Sequence, residues 1–238
     1  MPADCKSCKN AFPYSSLFNF PLEIAAGIIL IGSSPSGLAS NVMAYLAKAN
    51  IALSVTLTAV ATLLAPIMTP FLMKTLAGSF VPIDFLAMMT SIFKIVIVPV
   101  LLGLIFNYFF HGKAKWLDKA MPIISMAGIG FIIMIITAAG RDDLLSIGLL
   151  LILAAIIHNL LGYVFGYWGC RIFGMSEQDC RTIAFEVGMQ NGGLATGIAL
   201  EMGKISTVGL APAIFGPWMN ISGSSLATWW RDKEPKKK

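Results

Sequence analysis

A chain of 238 residues that is 57% hydrophobic and only 12% charged is not an ordinary soluble domain, in which about a quarter of the residues carry charge. Its mean hydropathy of +0.79 assigns most of it to lipid. The formal net charge of +5 does not point to nucleic acid, because the basic residues sit between apolar runs and at the C-terminus, where they read as topology signals.

Residues 1–20 are polar and without period, and they read as a leader. They hold no apolar core of the kind a cleaved signal peptide needs. Cys5 and Cys8 form a CxxC pair, but a zinc site needs two further ligands and no nearby histidine supplies them. With Cys170 and Cys180 they are expected to be unpaired thiols. The first apolar segment, 21–46, is interrupted by Gly32-Ser-Ser-Pro-Ser-Gly37. Proline and glycine inside a spanning segment predict a broken helix, which lipid tolerates only where protein or a cavity satisfies the backbone. Ser40 and Asn41 follow directly.

The second segment, 51–76, carries Ser54, Thr58 and Thr62 at i, i+4 and i+8, so three hydroxyls share one helix face. Such hydroxyls are commonly interhelical glue. A third segment, 84–110, contains Lys94, which is expected to snorkel to the headgroups. The basic loop 111–119 leads to a fourth segment ending near Gly140, and a fifth, 145–172, carries His158 and Asn159. A seventh, 207–230, precedes the tail 231–238, RDKEPKKK.

The sixth segment, 181–201, is the informative one. RTIAFEVGMQNGGLATGIALE is long and apolar, yet Glu186, Gln190 and Asn191 lie near its middle. A carboxylate at that depth costs several kcal/mol and is functional by default. Gly188, Gly192 and Gly193 follow at once, where a helix is easily unwound and freed carbonyls can ligate a desolvated cation. The window also allows a protonated glutamate in a helix interface, with Gly188/Gly192 and Gly193/Gly197 spaced for close packing. On its own it leaves both readings open.

With the tail assigned to the cytoplasm, Arg171, Arg181 and the 111–119 loop fall on the same side, and only Lys74, Arg141 and Lys204 on the other. Gly37-Leu-Ala-Ser40 and Gly193-Leu-Ala-Thr196 both adjoin suspected breaks in segments that run in opposite directions. Paired interrupted helices in inverted halves point to a transporter's central site.

Three runs, from Ser36 to Asn50, Glu186-Val-Gly-Met-Gln-Asn191 and Asn220-Ile-Ser-Gly-Ser224, closely resemble the bile acid:sodium symporter family in its bacterial form. The resemblance implies an all-α polytopic membrane protein with about seven transmembrane helices, two of them broken. These would correspond to the last seven of ten crossings in an inverted-repeat fold, without the first three. Residues 1–20 would be a non-family leader, and 21–230 a truncated membrane domain. Core helices would occupy about 21–76 and 145–230, panel helices about 84–140, and 231–238 would be a basic cytoplasmic tail. One implied sodium site uses Ser40, Asn41, Ser54, Thr58 and Glu186. The other uses Glu186, the carbonyls of Val187 and Met189, and Gln190. Ser36, Asn191 and Asn220 would line the substrate region. Family bile-acid binders often have threonine where Leu38 stands and histidine where Met219 stands, so small carboxylates such as pantoate or a keto acid join bile acids as expected cargo.

The function expected is sodium-coupled symport of an organic anion, with a chain of this length expected to be inactive and its breaks open to lipid or a water gap. No catalytic residue and no cofactor beyond sodium is expected. The partners are the bilayer, sodium, the anion and no nucleic acid, with a homodimer as a further option. The location is the bacterial inner membrane, multi-pass, with the C-terminus cytoplasmic. Two other classes compete: a seven-helix receptor, and an intramembrane hydrolase built on a serine of 33–36 with His158. The second needs hydrogen-bond reach between nucleophile and base.

Overall fold

The computed structural model describes residues 20–110 and 115–233, and these are helical throughout apart from their connections. Each predicted segment is a helix or a helix pair. The first is α1 (Leu22–Gly32) and α2 (Leu38–Leu46), separated at the predicted break. Then come α3 (Ile51–Ala77), α4 (Phe85–Ile92), a wide π-turn (Phe93–Ile97) and α5 (Val98–Phe110). They are followed by α6 (Lys115–Ala139) and α7 (Arg141–Ile172). The sixth segment is again a pair, α8 (Glu177–Gly188) and α9 (Gly192–Glu201), and α10 (Leu210–Arg231) closes the described chain. Among the described residues, Ile51–Ala77, Phe85–Phe109 and Arg141–Ile172 are each long and apolar enough to cross a membrane. The protein is a multi-pass membrane protein. The sequence did not announce the π-turn, but Pro99 explains it. Proline cannot donate to the carbonyl four residues back and its ring pushes that carbonyl aside, so the preceding turn widens.

Helix α8 is the centre of the fold, with Cys180, Arg181, Thr182, Ala184, Phe185, Glu186 and Gly188 all buried. α7 lies directly on it. A Cβ on Gly166 would stand 2.7 Å from the Ile183 carbonyl oxygen, and one on Gly162 would stand 2.8 Å from the Gly188 Cα. Small residues four apart thus let two backbones touch where lipid offers no hydrophobic drive between helices. The close-packing pair is Gly162/Gly166 of α7. Gly188 and Gly192 belong to separate helices and cannot form one packing face.

One end of the molecule sets the register. Asn50 caps α3 by accepting from Leu53 N, donates from Nδ2 to Asp179 Oδ1 (2.8 Å), and its backbone N–H donates to Thr182 Oγ1 (2.9 Å). The Ser176 hydroxyl and this Asn50 amide hold the Asp179 carboxyl below the usual range. Arg181 is buried beside them. Its Nε donates to Glu177, and one terminal nitrogen donates to the carbonyls of Ala47, Trp230 and Lys233. One guanidinium thus ties the ends of α2 and α10 to the start of α8. Arg171 pairs with Glu177 at the same end, whereas Lys204 pairs with Glu23 at the other. Cys170 and Cys180 are free and buried, while Cys5 and Cys8 lie outside the described residues.

Candidate functional site

The two breaks cross. Ser36 and Gln190 form an antiparallel bridge, with Gly37 N donating to Met189 O (2.9 Å) and Asn191 N donating to Pro35 O (2.7 Å). Gly37 permits this approach, because a Cβ there would stand 3.0 Å from the Gln190 carbonyl oxygen. Four further carbonyls at the breaks each find a side-chain donor, as a lipid-embedded backbone favours. Ser34 Oγ donates to Leu30 O and Thr69 Oγ1 to Ser33 O, both at 2.8 Å. Asn159 Nδ2 donates to Gly188 O and Gln190 Nε2 to Val187 O, again at 2.8 Å. The middles of the breaks do not stand open to lipid or a water gap: residues 33–37 and 188–190 are buried, covered by α3, α7 and each other, while Gly32 and Gly193 at the ends of the breaks are exposed.

Beside the crossing sits Glu186, 9% exposed. The Asn50–Thr182 tie fixes α3 against α8, and Ser54 and Glu186 each lie four residues further along. Ser54 Oγ therefore reaches Glu186 Oε1 (2.6 Å), and Thr58 Oγ1 reaches Oε2 (2.9 Å). From the first turn of α2, Ser40 Oγ reaches Oε1 (2.7 Å). Asn41 Oδ1 lies 2.8 Å from Ser54 Oγ and 3.3 Å from Thr58 Oγ1. Ser40 Oγ is also 2.8 Å from Gly37 O. Each hydroxyl has one proton, so three protons face six pairings with Gly37 O, Asn41 Oδ1 and the two carboxylate oxygens. With the Asn41 amide oxygen facing the hydroxyls, acceptors exceed donors. Gln190 adds to the excess: with its Nε2 engaged by Val187 O, its Oε1 is buried with no hydrogen-bond partner. Exchanging O and N would set Oε1 against the Val187 carbonyl, so the network fixes the amide as described.

Ser40, Asn41, Ser54, Thr58 and Glu186 thus form one hydrogen-bonded cluster; next to it Val187 lies in the last turn of α8, and Met189 and Gln190 are in the unwound stretch that follows. Thr62 is half-buried, one turn beyond. Of the substrate candidates, Ser36 is buried and donates to Thr58 Oγ1 (3.5 Å), and Asn191 caps α9 by accepting from Leu194 N. Asn220 is exposed on α10, one residue after Met219, whose Cε lies 4.0 Å from where a Gly192 Cβ would be. Leu38 is 76% exposed at the start of α2, whose N-terminus has no side-chain cap. Thr69 was missed in the sequence, where it looks like any other intramembrane threonine.

His158 packs edge-on to Phe215, and its Nε2 is buried with no hydrogen-bond partner. Ser34 and Ser36 donate elsewhere. The serine–histidine pairing a hydrolase needs is not formed.

A family model described as the "Sodium Bile acid symporter family" matches residues 11–147, beginning inside the first twenty residues. The "Uncharacterized sodium-dependent transporter YocS" of Bacillus subtilis is 41% identical over 228 residues, covering 95% of this chain and 70% of that protein. The "Probable sodium/metabolite cotransporter BASS1, chloroplastic" of Arabidopsis thaliana is 36% identical, covering 95% of this chain and 57% of its own length. The protein of the same name from Oryza sativa is 34% identical, at 96% and 56%. The chain therefore spans little more than half the length of these plant relatives. The names are those of transporters, not enzymes.

Proposed function

Since the chain belongs to the sodium bile acid symporter family, we propose that it binds sodium at Glu186 and couples that binding to an organic anion held beside the crossed breaks. The carrying observation is the surplus of oxygen acceptors around a buried carboxylate. A cation removes that surplus without needing a proton, and neutral hydroxyl and amide oxygens with one carboxylate are hard ligands suited to it. Ser40, Asn41, Ser54, Thr58 and Glu186 form the first site. Glu186, the carbonyl oxygens of Val187 and Met189, and Gln190 Oε1 form the second. A carboxylate shared by two ions offsets their mutual repulsion.

The anion sits by Ser36, Asn191 and Asn220. Two helix N-termini begin at the crossing, and the positive ends of their dipoles favour a carboxylate there. The short helices combine into single interrupted crossings, giving seven in all, two of them broken. Residues 21–76 and 145–230 form the core and 84–140 the panel of an inverted-repeat fold. Arg171, Arg181 and Lys233 share one end of the molecule, which supports a cytoplasmic C-terminus in a bacterial inner membrane.

The test is equilibrium binding of a labelled bile acid, pantoate and pyruvate to the purified protein in sodium and in potassium. At least one is expected to bind more tightly in sodium, with the gain lost in Asn220→Ala. Equal binding in both salts, or none in either, refutes the coupled reading.

A further inference from the structure

The buried amide of Asn159 joins two parts of the molecule that the sodium reading treats separately. Asn159 lies on α7 and is fully buried. Its Nδ2 donates to Gly188 O (2.8 Å), between the Val187 and Met189 carbonyls at the unwound end of α8. Its Oδ1 accepts from Ser222 Oγ on α10 (2.6 Å). The amide cannot turn over, because Oδ1 would then face the Gly188 carbonyl.

The same two regions meet around this bond. Tyr163, one turn along α7, has its hydroxyl 3.2 Å from Ser222 Oγ and 3.5 Å from Met219 O. Its ring fills the space a Gly188 Cβ would need, with Cδ1 only 2.2 Å from that position. Gly223 lets Met189 Sδ approach to 2.8 Å of its own missing Cβ. Residues 219–223 of α10, which include Asn220, therefore rest on the turn that carries two of the proposed sodium-ligating carbonyls.

We infer that Asn159 is the positioning residue that sets this carbonyl turn and transmits the position of α10 to it, linking the anion region to the sodium site. The inference rests on the sodium reading above. A peptide plane held at Gly188 O cannot rotate, so the flanking carbonyls keep their aim, and a shift of α10 moves Ser222 and hence the amide. Asn159 touches neither ion nor anion. It acts as outer partners of metal ligands do, whose loss commonly weakens metal affinity by about 10- to 100-fold.

The experiment uses the purified 238-residue chain and reads the sodium concentration at half-maximal thermal stabilisation, with potassium holding ionic strength constant. Ser222→Ala is expected to raise that midpoint by about threefold to tenfold, and Asn159→Leu, which keeps the volume, by about tenfold or more. Ser222→Thr, which restores the donor, returns it to the wild-type value. A purely structural role would lower the unfolding temperature equally with and without sodium and leave the midpoint where it was. A Ser222→Ala midpoint within twofold of wild type overturns the inference, and decides the matter even where Asn159→Leu does not fold. Wild-type protein with no sodium response overturns the sodium reading and this inference together. A normal wild-type response with unmoved variants overturns the inference alone.

Discussion

Replacing Glu186 by Gln is the sharpest perturbation of the site, because it removes one charge and almost nothing else. The amide keeps Oε1 as the acceptor for Ser40 and Ser54, and its Nε2 can donate to Thr58 Oγ1, now 2.9 Å from Oε2. It also brings protons to a cluster short of them. Sodium-free stability is therefore expected to hold or rise slightly. Sodium binding is different. An ion about 4 Å from the carboxylate gains about 4 kcal/mol at an effective dielectric of about 20, which is about three orders of magnitude in affinity. At a sodium concentration about 100 times the wild-type Kd, the wild type gains about 2.7 kcal/mol of stability. A variant with about 1,000-fold weaker binding sits near a tenth of its Kd and gains about 0.1 kcal/mol or less. For a chain of this size, the wild-type gain corresponds to about 5–10 °C in unfolding temperature. Thermal unfolding in detergent, in sodium and in matched potassium, measures it. A Glu186→Gln protein that sodium stabilises as strongly as wild type would refute the argument, since it would place the ion somewhere the charge does not matter.

Two further changes probe the scaffold. In Gly188→Ala the new Cβ would meet the Tyr163 ring at 2.2 Å, and that ring is tethered through its hydroxyl to α10. Overpacking of this kind costs about 1–3 kcal/mol, read as a lower unfolding temperature. In a Tyr163→Ala background, which lacks the ring, the same glycine change should cost clearly less than it does in wild type, and an equal cost in both backgrounds would show that the clash is not with the ring. Arg181→Met takes one buried partner from Glu177, which keeps Arg171 and Tyr167, and removes the guanidinium donor from the carbonyls of Ala47, Trp230 and Lys233. Breaking a buried charge pair costs about 3–5 kcal/mol, so the variant should unfold well below wild type, while Arg181→Met stability within about 1 kcal/mol of wild type would show that α2, α8 and α10 are held by other means.

Both breaks were legible because Gly, Pro and Ser inside an apolar run contradict helix so openly: Gly32 to Gly37 and Gly188 to Gly193 fall where the chain unwinds. The shared face of Ser54 and Thr58 was legible too, since helical spacing needs no knowledge of the partner. What they face was not in that spacing. The pairing with Glu186 spans more than a hundred residues and depends on the Asn50–Thr182 tie, which no local pattern encodes. Asn159 had no role in the sequence beyond standing next to His158, yet it holds the Gly188 carbonyl. Thr69 and the Gly162/Gly166 contact were hidden for the same reason. Lys94 offered only its charge, and the π-turn around it comes from Pro99, five residues on.

The surplus of acceptors at Glu186 is not simply what breaking two helices leaves behind. Broken helices free carbonyls, and six of those freed here are answered individually: Leu30, Ser33 and Pro35 on one side of the crossing, Val187, Gly188 and Met189 on the other. Their donors come from both breaks, from α3 and from α7, so the backbone debt is settled locally. The unmatched oxygens are side-chain atoms of Glu186, Asn41 and Gln190, of which Gln190 also serves the crossing through its Nε2 on the Val187 carbonyl. Had the sequence needed only a stable pair of crossed helices, Leu at 186 would have avoided the desolvation of a carboxylate. The carbonyls that hold the crossing together have donors, and those of Val187 and Met189 each keep a second lone pair for an ion, whereas the side-chain oxygens at Glu186 are left short of protons. An acceptor cluster left short in this way is stabilised by a cation with no proton to give.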